Sequence, residues 1–308
     1  MTTHLQTIAL FGANGQIGRH VLTALVDQKQ QFKVIAFVSP NSDFNANKFG
    51  KETVIECRLD LNNATCEDLA EIMMHEHVDV AISTLGGEVL NKQGIVQDAA
   101  AKAGVRRFYP SEYGMHQIPW FADEGPYLHP SGQMTYTVIG CAELYDVQNE
   151  PILCPWLDNS KSTAQNGYEV QCVENPDAKM DYSSCSDVAK YLVATLQHPE
   201  RSENKVLGFR SDHLSYNEIA QLLRKHSKKK VEINLIPIDQ VKRILKDPSS
   251  APETLQGGST FPVDFWVLLR YVQSQGTFWR PPGLLHNDLF PEITPTSVDK
   301  YFEDLFSN

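Results

Sequence analysis

Gly12, Gly15 and Gly18 recur at every third position, directly after the apolar run Thr7-Ile8-Ala9-Leu10-Phe11 and at the head of a segment with Ile17, Val21, Leu22 and Leu25 on one helical face. A strand that turns through glycines into a helix suits one kind of chemistry. Small residues let the backbone come close to a bound group, and the first helical turn offers unpaired N–H groups and a positive dipole end to an anion. The anion that a G-x-x-G-x-x-G turn receives is a dinucleotide pyrophosphate. Gly12, Asn14, Gly15, Gln16, Ile17 and Gly18 are therefore the expected phosphate-side residues.

Two further stretches are expected to complete such a site. Ser83-Thr84-Leu85-Gly86-Gly87 ends a later apolar strand, which brings Thr84, Leu85 and Gly86 to the sheet edge where ligands bind in open α/β folds. The strand that follows the glycine helix ends in Ser39-Pro40-Asn41-Ser42, neither acidic nor basic. An acid there would bind the ribose hydroxyl and a base the 2′-phosphate, so this stretch leaves NAD and NADP open. Lys48 and Lys51 are the nearby cations for an extra phosphate, with a solvated loop as their ordinary role.

The elements that must position these residues are legible as continuous apolar strands alternating with amphipathic helices. Strands are expected at 7–11, 32–38, 53–55, 78–83, 107–110 and 135–139, with helices at 17–26, around 69–73, at 95–103 and at 186–196. That alternation implies a parallel sheet covered on both faces. After about residue 211 the texture changes. Ser215-Tyr216-Asn217-Glu218 reads as a capping box opening a helix to His226, then a strand at 231–236 and a helix at 264–271. The fold class is α/β, a Rossmann-type doubly wound parallel sheet with a smaller C-terminal α+β substrate lobe. Residues 1–210 are assigned to the dinucleotide domain, with substrate-lobe insertions around 115–134 and 141–180, and 211–308 to the smaller lobe, the ligand lying in the cleft between them.

The whole chain narrows the class further. A formal charge of −11 over 308 residues argues against a nucleic-acid surface, which needs clustered cations. The one dense basic run, residues 224–230, falls at the end of a helical pattern, where cations suit the dipole. No apolar run is long enough to span a bilayer, and no secretory leader is visible, so the expected location is the cytoplasm. The six cysteines, at 57, 66, 141, 154, 172 and 185, form no C-x-x-C pair and read as buried reduced thiols. His75 and His77 flank Glu76 but do not share a helical face, so no metal site is expected. The aromatic segment 261–266, with Phe278 and Trp279, reads either as a substrate-pocket lining or as core.

The segment Arg106-Arg107-Phe108-Tyr109-Pro110-Ser111-Glu112-Tyr113-Gly114 resembles the "RF-PSE-G" signature of the isoflavone-reductase-like, NmrA-like branch of atypical short-chain dehydrogenases. The likeness extends through the opening glycine turn, Met180-Asp181-Tyr182-Ser183 and Ser186-Asp187-Val188-Ala189 to the stretches 275–281 and 286–291. What the resemblance implies is binding of NADP(H) in preference to NAD(H), with Ser39, Pro110, Ser111 and Glu112 among the cofactor contacts. It also implies reduction of a small aromatic or polyketide-type molecule by a monomer or homodimer. The chain departs from the family in one respect that bears on chemistry. The reductases carry a general-acid lysine shortly after the "PSE-G" strand, whereas residues 115–134 hold no lysine. None of the 11 tyrosines has a lysine four residues on, and the usual basic position after the second strand is Ser39.

Three readings follow. In the first, hydride transfer proceeds with the proton supplied by another group: His116 or His129 foremost, titrating near neutral pH, with Glu112 and Tyr113 beside them. In the second, the same scaffold runs a non-redox isomerisation or cyclisation catalysed by a carboxylic acid of the protein. In the third, the chain is a dinucleotide-sensing regulator with no catalysis.

Overall fold

The protein is described by a computed structural model covering residues 5–28, 31–50, 53–115, 134–158, 167–256 and 259–307. The expected catalytic residues His116 and His129, and Lys51, lie outside the described residues.

Among the described residues, β1 (Thr7–Phe11), β2 (Lys33–Val38), β3 (Val54–Arg58), β4 (Val80–Ser83), β5 (Arg107–Tyr109), β6 (Thr135–Gly140) and a later strand, β10 (Lys205–Gly208), form one seven-stranded sheet. Its order is β3-β2-β1-β4-β5-β6-β10, and every pairing is parallel. That order is the doubly wound Rossmann one. The chain runs outward from β1 in both directions, so a crevice opens over the carboxyl ends of β1 and β4. Helices α1 (Gly18–Val26), α2 (Cys66–His75) and α3 (Gln93–Lys102) supply the crossovers. α2 starts where Thr65 and Asp68 close a reciprocal capping box, which satisfies two N–H groups the helix cannot bond itself. Phe11, Ile35, Phe37, Leu69, Met73, Ala81, Val96 and Phe108 interlock in one buried core on this sheet, with Phe11 and Phe37 stacked at 4.1 Å.

β10 was not anticipated from the sequence. It is four residues long with two of them exposed, and so carries too little apolar pattern to read. Helix α4 (Cys185–Gln197) precedes it, close to the expected span.

The chain divides into two compact units. The first holds residues 1–140, 188–209 and 286–293, and the second 141–187, 210–285 and 294–308. The contiguous 211–308 lobe expected from the sequence is therefore corrected, because residues 286–293 belong to the first unit. The reason is local bonding. His286 N–H donates to the Gly208 carbonyl, its Nδ1 accepts from Gly208 N–H at 3.0 Å, and Phe290 is fully buried against Tyr191 and Phe209.

The second unit contains a three-stranded sheet of order β11-β9-β7, built from β7 (Glu143–Leu144), β9 (Met180–Ser183) and β11 (Asp212–Leu214). A parallel pair of β8 (Tyr168–Val173) and β12 (Val231–Ile236) accompanies it, with helices α5 (Tyr216–Ser227), α6 (Ile238–Lys246), α7 (Val263–Ser274) and α8 (Val298–Phe306). Ser215 and Glu218 form the expected capping box of α5. At the other end of α5, His226 and Lys225 both reach Asp299. Trp266 and Val267 of α7 pack into a core with Val173, Ile236, Val241 and Ile244. The aromatic segment divides accordingly. Trp266 and Phe278 are core residues, while Phe261, Phe265 and Trp279 stand exposed.

A buried polar network fixes the interior of this unit. Arg270 donates to Glu143 Oε1 and to Gln273 Oε1, both at 2.9 Å, and to the Ile152 carbonyl at 3.1 Å. Gln273 Nε2 donates to the other Glu143 oxygen at 3.0 Å, and the Tyr216 hydroxyl to Gln273 Oε1 at 2.6 Å. Arg270 and Glu143 are 1% and 7% exposed, so losing either strands the other's charge away from water. Glu143→Ala is expected to destabilise the protein by about 3–5 kcal/mol in urea unfolding, and Glu143→Ala with Arg270→Met to recover most of that loss.

All six cysteines are free. Burial pushes the Cys141 thiol up to about 12 and Cys172 up to about 11, and drives Cys154 and Cys185 up as well. Thiolates are the reactive form, so iodoacetamide at pH 8 is expected to label Cys57 and Cys66 alone, and slowly, before denaturant exposes the other four. Mass mapping of the labelled peptides reads the result.

Candidate dinucleotide site

The glycine turn is built as a cradle. Gly12 adopts φ +79°, a left-handed conformation that L side chains rarely take, and its N–H donates to the Phe37 carbonyl at 3.2 Å. A Cβ on Gly12 would stand 2.8 Å from the Thr84 carbonyl oxygen. At Gly18 it would stand 2.0 Å from the Gly12 carbonyl oxygen and 2.7 Å from Thr84 Oγ1. The helix thus sits directly on the strand exit, with room for hydrogen and nothing larger. Thr84, just past β4, locks the arrangement, its hydroxyl donating to the Phe11 carbonyl at 2.7 Å. No side chain caps α1 at Ile17, and the Arg19 and His20 N–H groups donate to the Gly15 and Ile17 carbonyls, so the turn is held by backbone alone.

Around this turn a pocket of about 560 Å³ opens in the first unit. Its apolar walls are Phe37, Val38, Leu59, Leu61, Leu85 and Val89, and its polar rim includes Asn14, Ser39, Asn41, Ser42, Asp43, Asp60 and Asn62. These residues come from the exits of β1, β2, β3 and β4, the carboxyl edge at which open parallel sheets bind ligands. The residues fit a dinucleotide's pyrophosphate and adenosine half: two glycines that admit no Cβ, an uncapped helix start, and a slot with apolar faces.

The loop after β2 is held in place rather than left free. Arg58, at the end of β3, donates from Nη1 to the Pro40 and Ser42 carbonyls, each at 2.8 Å, and from Nη2 to the Phe44 carbonyl at 2.9 Å. Its Nε bonds Glu56 Oε1 at 2.6 Å. Glu56 in turn accepts the Ala46 N–H, which with Arg58 holds its carboxyl below the usual range. Asn14, in the turn itself, reaches across to the same loop, donating to Ser42 Oγ at 3.0 Å and to Asp43 Oδ1 at 2.8 Å.

The exit of β5 lies on the same edge. Ser111 N–H donates to Gln93 Oε1 of α3, its hydroxyl to the Leu85 carbonyl, both at 2.7 Å, and Tyr113 donates to the Ser83 carbonyl at 3.2 Å. These bonds fasten the Pro110–Gly114 stretch to the end of β4.

Of the residues expected at the cofactor, Gly12, Asn14, Gly15, Ser39 and Leu85 line the pocket. Gln16, Ile17 and Gly18 form the start of α1 beneath it, and Thr84 locks the turn from behind. Gly86, Pro110, Ser111 and Glu112 stand on the β4 and β5 exits, outside that lining. Lys48 is exposed on a short 3-10 turn and does not line the pocket. Sequence reasoning missed Asp43, Val89 and the whole β3 exit, Leu59 to Asn62. The one available signal for Asp43 was an acid a single residue beyond the stretch 39–42.

The sheet order and this cradle define a Rossmann-type protein. The NmrA-like family model matches residues 4–121 and 127–259, and the chain belongs to that family. Among curated relatives, it is 23% identical over 324 residues to the phenylcoumaran benzylic ether reductase PT1 of Pinus taeda, covering 96% of this chain and 97% of that one. It is likewise 23% identical over 317 residues to the isoflavone reductase homolog IRL of Zea mays, covering 98% of each. A solved binary complex of leucoanthocyanidin reductase with NADPH from Vitis vinifera superposes with a TM-score of 0.73 at 19% identity, covering 98% of this chain and 100% of that one.

Gly18→Ala is expected to weaken dinucleotide binding at least about tenfold and to lower stability by about 1–3 kcal/mol, since a methyl group there forces α1 off β1. Titration calorimetry and urea unfolding on the same preparation check both effects.

Proposed function

We propose that this chain is an NADP(H)-dependent reductase of a small aromatic or polyketide-type metabolite. The observation that carries this reading is the pairing of Gly12 and Gly18 over Thr84 with an uncapped α1 beside a half-apolar pocket. The relatives support it by their names, which are those of reductases, and the solved leucoanthocyanidin reductase by its complex with NADPH. When bound, the nicotinamide supplies the hydride.

The protein's own residues supply position and the proton. The α1 N-terminus meets the pyrophosphate charge, with Gly12, Gly15 and Asn14 against it. Phe37, Val38, Leu59 and Leu61 offer the adenine an apolar slot. Ser111, Glu112 and Tyr113 follow β5 toward the reacting end. The proton for the reduced substrate comes from this stretch or the one after it: Glu112, Tyr113, His116 or His129, in place of the lysine that the segment 115–134 does not contain.

The test follows absorbance of the reduced nicotinamide with a panel of aromatic ethers, enones and polyketide-type ketones. The expected result is oxidation of cofactor with a product two hydrogens heavier than its substrate. Among Glu112→Gln, Tyr113→Phe, His116→Ala and His129→Ala, one is expected to lower kcat by about 100-fold or more while leaving dinucleotide affinity unchanged. An isomeric product formed without cofactor oxidation would contradict the reductase reading, and full activity in all four variants would contradict the proton assignment.

A further inference from the structure

The stretch Pro110–Gly114, which carries Glu112 and Tyr113, holds little structure of its own. Glu112 N–H donates to the Pro110 carbonyl and Gly114 N–H to the Glu112 carbonyl, each at 2.9 Å. Each bond closes a three-residue turn, from residue i+2 back to residue i. Two such turns in a row set the local path of the chain, but neither ties it to the sheet. Where Glu112 and Tyr113 stand is decided by bonds from outside the stretch.

Three bonds to described residues do this, and they differ in kind. Ser111 Oγ donates to the Leu85 carbonyl at 2.7 Å and Tyr113 Oη to the Ser83 carbonyl at 3.2 Å. Both start from side chains of the stretch and end on the backbone of the β4 exit. The third comes from a separate element: Gln93 Oε1 accepts the Ser111 N–H at 2.7 Å. An N–H only donates, so the amide oxygen faces the loop and the bond sets the orientation of the Gln93 side chain. Gln93 is the first residue of α3, and α3 is fixed on the sheet by Val96, Ala99 and Ala100, all fully buried. The amide thus transfers the position of a packed helix to the backbone of the loop.

The Gln93 side chain does little else. A glutamine amide carries two N–H donors and a twofold acceptor, yet among the described residues its one hydrogen bond here is that to Ser111. Gln93 is half-buried at the head of its helix and does not line the pocket of the glycine turn. Losing the amide leaves the packing of α3 and the pyrophosphate cradle as they are, and releases one N–H of the loop.

We propose that Gln93 is a positioning residue for proton transfer: by holding Ser111 N–H it fixes where Glu112 and Tyr113 stand relative to the β4 exit. The inference rests on the reductase reading above, with the proton given from this stretch. Displacing a reacting group by about 1 Å is enough to slow a step on the order of 100-fold, so one bond to the loop bears on rate without bearing on cofactor affinity.

Two variants of the intact chain test it: Gln93→Leu, which removes the acceptor at similar size, and Gln93→Glu, which keeps an acceptor oxygen. Steady-state kinetics use NADPH and whichever aromatic ether, enone or ketone the wild type reduces fastest. Gln93→Leu is expected to lower kcat by about tenfold or more, while the calorimetric Kd for NADPH stays within about threefold. Without any ligand, hydrogen–deuterium exchange is expected to quicken in residues 110–114 of Gln93→Leu and to stay unchanged in residues 12–18. Gln93→Glu is expected to recover kcat to within about threefold of wild type and to restore the slow exchange. An unchanged kcat or unchanged exchange at 110–114 in Gln93→Leu would overturn the role. So would an equal loss of kcat in Gln93→Glu, or a loss of NADPH affinity as large as the loss of kcat. Wild-type protein that oxidises no cofactor with any of these substrates would sink the reductase reading, and this role with it, a result distinct from the others.

Discussion

The first unit depends on one close approach. The first residue of α1 lies against the backbone of the β1 exit so tightly that Gly18 tolerates no Cβ, and Thr84 of the neighbouring strand fills the remaining space with a hydroxyl bonded to the Phe11 carbonyl. That contact sets where the helix begins, and hence where its dipole points. The β2 and β3 exits must then clear the same space, and Arg58 holds the first of them back by its carbonyls. The pocket is what remains between these fixed edges, so its position follows from packing rather than from any residue specialised for a ligand.

Much of this was legible in the sequence, for a physical reason. Strands covered on both faces are continuous apolar runs, and those of β1, β2 and β4 stood out between amphipathic helices. Caps were equally readable, since Ser215 and Glu218 announce their bonds by spacing alone. What stayed hidden lacks a period. β10 is a four-residue edge strand with half its length exposed, and β7 is only two residues long. The β3 exit, Leu59 to Asn62, reads as an ordinary polar turn until the fold carries it to the glycine loop. Asp43 follows the same rule: the fold brings it to Asn14, which lies 29 positions earlier in the chain.

The second unit solves a different problem, burying charge without stranding it. Glu143 and Arg270 come from segments far apart in sequence, joined through Gln273 and Tyr216 so that nearly every polar atom has a partner. Asp181, fully buried, is treated the same way by Arg210, His213 and the Arg280 N–H. Such pairs contribute little net stability over apolar packing, but they penalise every arrangement that separates them. The network therefore specifies which segments meet. None of this was visible as chemistry in the sequence, because ion pairs between distant segments leave no spacing to read.

The central claim is that the edge formed by the β1, β2, β3 and β4 exits is the dinucleotide site. Hydrogen–deuterium exchange of the intact protein with and without saturating NADPH tests it most directly. The account predicts slower exchange on binding in residues 12–18, 38–43, 59–62 and 84–89, with lesser protection at 110–114 and the remainder of the first unit largely unchanged. Binding that leaves those four segments unprotected, or that protects only segments of the second unit, would contradict it.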